Sequence, residues 1–123
     1  MLLRHGGSRR LCRARDLLAQ VEEHSPTIEQ IARGLGVSPF HFSRQFEAVF
    51  GATPHQYRIQ ARLDRAKHLL AISDSSVTDV CMEVGFSSLG SFSDLFARRV
   101  GEPPSAYRRR VRSMMTTPGA MPK

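Results

Sequence analysis

Arginine dominates the chemistry open to this chain. Among its 123 residues, 18 are Lys or Arg against 11 Asp or Glu, and every cation except Lys67 and Lys123 is Arg. A guanidinium forks onto phosphate oxygens or onto the edge of guanine, so this excess points first to nucleic acid, with a solvated basic surface as the plainer alternative. The residues of catalysis lack the spacing to act together. Histidines 5, 24, 41, 55 and 68 form no triad or ligand set with acids or with Cys12 and Cys81. His68 stands four residues after Asp64, a surface helix pair. Gly34, Gly36 and Gly51 fall where helices end and build no phosphate loop. The expectation is a chain that is not an enzyme and that uses no metal and no cofactor.

A net charge of +7, 41% hydrophobic and 24% charged residues suit a folded soluble protein of one small domain. Two cysteines are too few for a disulfide scaffold, and Cys81, among Val77, Val80 and Val84, reads as core. No apolar run approaches the ~20 residues of a membrane span. The first ten residues, MLLRHGGSRR, lack a secretory signal's apolar stretch. A cytoplasmic protein, nucleoid-associated when bound to DNA, with no membrane partner, is expected.

The elements that must carry these arginines are helices. Residues 1–8 read as a flexible end, and Leu11, Ala14, Leu17, Leu18 and Val21 give a first amphipathic helix over 9–23. Thr27 and Gln30 form a capping box for a second, with Ile28, Ile31, Ala32 and Leu35 inward and Gly36 as its stop. Ser38-Pro39 starts a third, with Phe42 and Phe46 on one face. A helix, a short turn containing glycine and a capped helix make a helix-turn-helix, here about 28–50. Thr53 and Gln56 cap a central linker helix over 54–72, with an apolar stripe of Ile59, Leu63, Ala66 and Leu70 beside a basic one of Arg58, Arg62 and Arg65 followed by Leu69. Its nineteen residues span roughly 28 Å at ~1.5 Å each. One turn of duplex DNA measures ~34–36 Å.

The chain then repeats itself. Gly36 and Ser38 recur 49 positions on as Gly85 and Ser87, and Phe42, Ser43, Phe46, Gly51, Pro54, Tyr57 and Arg58 recur 50 positions on, ending in Tyr107-Arg108. Such a dense repeat means one supersecondary unit built twice. Ser76 caps a fifth helix with Val77, Val80, Cys81 and Val84 inward. A sixth starts at Ser87 or Ser88 and buries Phe92, Leu95, Phe96 and Val100. The second helix-turn-helix covers about 77–100, a terminal helix 104–112 and a flexible tail 113–123. No strand pattern survives. The fold class is all-α, about seven helices, with two helix-turn-helix subdomains joined by the linker in one domain over 9–112.

From Leu11 to Arg110 this pattern resembles the DNA-binding domain of AraC/XylS-type transcription regulators. The most specific stretch is GFSSLGSFSDLFARRVGEPPSAYR, Gly85 to Arg108, and GVSPFHFSRQFEAVFGATPHQYR, Gly36 to Arg58, fits equally well. The resemblance implies sequence-specific binding of double-stranded DNA, the third and sixth helices entering successive major grooves of an asymmetric promoter site. A monomer can bind such a site, a dimer is compatible with it, and RNA polymerase is a further candidate partner. Larger members carry an effector-binding or dimerisation domain, for which this sequence has no stretch; a fragment and a free-standing regulator both fit.

Carried onto this sequence, the resemblance makes Phe40, His41, Ser43, Arg44 and Glu47 the base-reading face of the third helix. Arg44 can take guanine bidentately, Phe40 can pack on a thymine methyl or cap the core, Ser43 can reach base or phosphate, and His41 can touch DNA or stay solvated. Leu89, Gly90, Ser91, Ser93 and Asp94 form the second face. Asp94 repels phosphate; it can accept from cytosine N4 or pair with Arg98, four residues on. Ser38, Arg58, Ser87, Ser88, Arg98, Arg99, Arg108 and Arg109 are the candidate backbone contacts, each open to internal pairing instead, and Arg62 and Arg65 are expected to pair with acids. Six to eight neutralised phosphates would give a log–log salt slope of roughly −5 to −7. The other reading is a protein-interaction module with this fold acting on RNA polymerase or a partner regulator, supported by Asp94 and Leu89.

Overall fold

The computed structural model describes residues 5–21 and 24–116, with side chains described from Arg9 to Met115. Among the described residues seven helices follow one another: α1 His5–Ala19, α2 Ile28–Leu35, α3 Pro39–Phe50, α4 Pro54–Ile72, α5 Val77–Glu83, α6 Leu89–Val100 and α7 Pro104–Thr116. Among the described residues there is no strand.

Two compact units divide inside α4, one ending at Arg62 and the next beginning at Leu63. In the first, α2 packs on α1 and α3. Its buried centre is Leu11, Ala14, Leu18, Ile31, Ala32, Phe42 and Phe46, flanked by Leu17, Ile28, Leu35, Val37, Phe50 and Tyr57. Phe46 meets Phe42 and Tyr57 edge-on, with ring centroids 5.7 Å apart in both pairs. The second unit packs α6 on α5 and α7. Its buried residues are Leu63, Ala66, Leu69, Leu70, Val80, Cys81, Val84, Phe92 and Phe96. Phe96 repeats these contacts, tilted against Phe92 at 5.7 Å and edge-on to Tyr107 at 5.6 Å. The repeat in the sequence is thus a repeat of aromatic packing, each bulky ring touching the next over the distances edge-on pairs favour.

The local signals behave as their chemistry demands. Thr27 and Gln30 exchange both hydrogen bonds of a capping box, as do Thr53 and Gln56. Ser38, Ser76 and Ser88 each accept from the backbone N–H three residues on. Gly36 (φ 78°) and Gly85 (φ 97°) sit at the turns in left-handed conformations that a Cβ would strain.

Three boundaries and one stripe differ from the sequence reading. Helix α1 begins at His5 and ends at Ala19, where Arg9 and Glu23 were expected. Gly6 and Gly7 fall in its first turn, the place in a helix where poor propensity costs least. At its other end the Leu17 and Leu18 carbonyls accept from Arg58 and the Gln20 carbonyl from Ser25 Oγ, so these three acceptors are satisfied as the chain leaves the helix. The expected flexible end lies outside the described residues over 1–4 and is helical from His5; Glu22 and Glu23 also lie outside them. Helix α7 runs to Thr116, four residues past the expected stop, with Arg112 bonded to the Ser73 carbonyl and to Asp74, and Arg110 to Met114. The expected tail is therefore helical over 113–116, and 117–123 lie outside the described residues. The stripe read as basic along α4 is largely an inward one: Leu69 and Arg58 are both 7% exposed, Arg62 is half-buried, and only Arg65 stands in solvent.

Candidate nucleic-acid interface

The outer face of α3 is made by default. Phe42 and Phe46, fully buried, fix the helix's rotation, and that fixes what must face out. Phe40 is 72% exposed, His41, Arg44 and Glu47 are exposed, and Ser43 is half-buried. Arg44, one turn after Phe40, lays its guanidinium 5.5 Å from the centre of that ring. With His41, Gln45 and Ala48 the pair lines an open depression on this face. Ser38, expected at a phosphate, is exposed and already accepts from His41 N–H at 3.1 Å.

Helix α6 is rotated in the same way by Phe92 and Phe96. Leu89, Gly90, Ser91 and Asp94 face out with Ser87 and Ser88, and Ser93 is half-buried. The chemistry of this face is different. Asp94 pairs with Arg98 at 3.7 Å along the helix, both side chains largely in solvent, so each charge partly cancels the other. Ser88 is engaged as the cap of Ser91 N–H at 3.2 Å.

The remaining arginines divide. Arg98, Arg99 and Arg109 are exposed. Arg58 is not: its Nε donates to the Leu18 carbonyl at 3.4 Å and its Nη2 to that of Leu17 at 3.3 Å. Arg108, fifty residues on, does the same at the end of α4, from Nε to Leu70 O at 3.0 Å and from Nη2 to Ser73 O at 3.2 Å. Each guanidinium caps the open carbonyls at a helix C-terminus, where a positive charge is favoured. Burial, and then the neighbouring charge of Arg62, holds the Arg58 guanidinium below its usual pKa. Burial, then Arg112, does so at Arg108, opposed by Asp74. Both residues, expected at phosphates, thus have Nε and Nη2 engaged on carbonyls of their own unit.

Among the described residues Arg62 forms no ion pair with an acid. Among the described residues its buried Nε has no hydrogen-bond partner, and burial lowers its pKa. Arg110 is held by Glu102 at 2.6 Å and by the Tyr107 ring at 5.5 Å. Among the described residues no three His, Cys, Asp or Glu side chains converge on a metal position, and no helix is long and apolar enough to cross a membrane. Cys81 is fully buried, and burial raises its thiol pKa.

A helix-turn-helix family model matches residues 31–110, which takes in both capped turns and both outward faces. The chain belongs to the AraC-type family of helix-turn-helix transcription regulators. It is 40% identical over 85 residues to the MmsAB operon regulatory protein of Pseudomonas aeruginosa, covering 69% of this chain and 28% of that one. It is 36% identical over 109 residues to the transcriptional activator RhaS of Citrobacter koseri, covering 86% and 39%. The AraC-type chain described here thus spans well under half the length of these curated relatives, both named as regulators and neither as an enzyme.

Solved AraC-type structures are similar throughout. A transcriptional regulator of Chromobacterium violaceum superposes with a TM-score of 0.74 at 28% identity, over 94% of this chain and all of that one. The DNA-binding domain of AdpA, a global transcriptional factor solved in complex with a target DNA, gives 0.71 at 29%, over 90% and 95%.

Proposed function

We propose that this AraC-type chain is a sequence-specific regulator that binds double-stranded promoter DNA through α3 and α6, set in successive major grooves of one asymmetric site. The observation that carries this is the outer face of α3. An exposed Arg44, His41 and Glu47, with a half-buried Ser43, stand on a helix whose other side is locked into a core by two fully buried phenylalanines. A rigid element presenting a guanidinium at its surface suits readout of a guanine edge in the major groove. The DNA complex of the similar AdpA domain supports the choice of ligand.

Within this reading the two halves differ. The α3 half reads bases. The α6 half, with Asp94 neutralising Arg98 and Gly90 offering no side chain, mainly anchors, through Ser87, Ser88, Ser91, Arg99 and Arg109. Enrichment of bound duplexes from a random pool tests the proposal. One asymmetric motif with its informative positions concentrated at one end is the expected result. Equal affinity for all duplexes would instead leave the second reading, a module acting on RNA polymerase or a partner regulator, which a pull-down with polymerase in the absence of DNA would detect.

A further inference from the structure

Resting on that reading, the geometry points to Phe40 and Arg44 as one composite reader. We infer that it selects a 5-methylated pyrimidine next to a guanine, in unmodified DNA a thymine. The two side chains are already joined in the free protein, with the Arg44 guanidinium 5.5 Å from the centre of the Phe40 ring. The ring itself has no structural task that the chain reveals. It is 72% exposed. The second copy of the unit supplies an internal control: the residues equivalent to Phe42, Ser43 and Phe46 are Phe92, Ser93 and Phe96, unchanged, while Phe40 is replaced by Gly90 and Arg44 by Asp94. A helix of the same length, cap and core packing thus forms with neither group. Glycine there is not forced by crowding, because a Cβ at Gly90 would meet only Ser88 Oγ, at 3.8 Å. The ring and the fork are present together or absent together.

Their combined chemistry defines the target. Guanine presents O6 and N7 to the major groove and takes a guanidinium fork. The only apolar group in that groove is the C5 methyl of thymine, or of 5-methylcytosine. An aromatic ring packed against the fork covers the base beside the guanine, and it gains from that base only if a methyl is there to be buried. The ring also holds the fork in place before DNA arrives, so less freedom is lost on binding. His41 and Gln45, next to the pair on the same face, leave the ring open to the groove.

The test uses the whole chain and the duplex enriched from a random pool. A thymine adjacent to the most strongly selected guanine is expected. Replacing that thymine by deoxyuridine, which removes only the methyl, should weaken binding about four- to tenfold, and 5-methylcytosine in its place should bind better than cytosine. Phe40→Ala should bind the thymine and deoxyuridine duplexes equally, with its helicity and melting temperature close to those of the unsubstituted chain. A motif with no thymine beside its guanine, or equal binding of thymine and deoxyuridine by the unsubstituted chain, overturns the inference and leaves sequence-specific binding standing. A pool with no enriched motif overturns both. The DNA-side substitutions need no variant, so the result does not depend on Phe40→Ala folding.

Discussion

Two arginines on neighbouring elements illustrate how differently one side chain can be used. Arg44 is exposed beside Phe40, while Arg58 lies 7% exposed with its fork on the Leu17 and Leu18 carbonyls. Arg44→Ala should therefore cost ~1–3 kcal/mol of binding and relax discrimination at one base pair, measured by anisotropy against single-base variants of the selected site. A uniform loss across sequences would make it a phosphate contact instead. Arg58→Met should take the side-chain donor from the Leu18 carbonyl, leave Leu17 O only the Gln20 N–H, and lower unfolding free energy by ~1–3 kcal/mol in urea, with no change in the salt dependence of binding by the folded protein. At the other reading helix, Asp94→Asn frees Arg98 from its 3.7 Å partner and removes a charge that phosphate repels. It should tighten binding and steepen the log–log salt slope by about one.

At the scale of elements, most of the fold was legible because its signals are local. Capping boxes at Thr27 and Thr53, Ser-Pro at the start of α3 and glycine at each turn are decided within four residues, and the helices follow them. The ends of α1 and α7 were not legible, since they depend on side chains from elsewhere in the same unit: Arg58 at the first, Ser73 and Asp74 at the second. The burial of Arg58 was open to a closer reading of the repeat. Tyr57-Arg58 returns as Tyr107-Arg108 together with the core phenylalanines, whereas the outward pair Phe40 and Arg44 does not return. A residue that repeats with the core belongs to the mould of the unit. One further test belongs at this scale. A Cβ on Gly36 would have no atom within 4 Å, so Gly36→Ala isolates the strain of a left-handed residue and should cost ~1–2 kcal/mol by thermal melting, without altering the selected DNA motif.

For the whole molecule, both the charge and the position of the dividing line matter. The DNA-binding reading of the sequence takes about six to eight phosphate contacts. With Arg58 and Arg108 on carbonyls, about four to six is the better expectation, and a slope of roughly −4 to −5 should be found when affinity is followed from low to physiological salt. The dividing line falls inside α4, whose Tyr57 and Arg58 belong to one core and whose Leu63, Ala66 and Leu70 belong to the other. Cutting there would leave each unit its own core residues but interrupt the hydrogen-bond ladder of α4. Lengthening α4 by insertion should instead preserve both cores and uncouple the halves, so that specificity at the Arg44 half survives while overall affinity falls.

The carbonyl caps at Arg58 and Arg108 also sort the arginines by chemical reactivity. Dicarbonyl reagents that condense with guanidinium groups need free access to the nitrogens, and a fork engaged on two carbonyls does not offer it. Peptide mapping after brief treatment should find adducts first at Arg44, Arg98 and Arg109 and last at Arg58. Bound DNA should shield the early set. Only a denaturant should expose the late one.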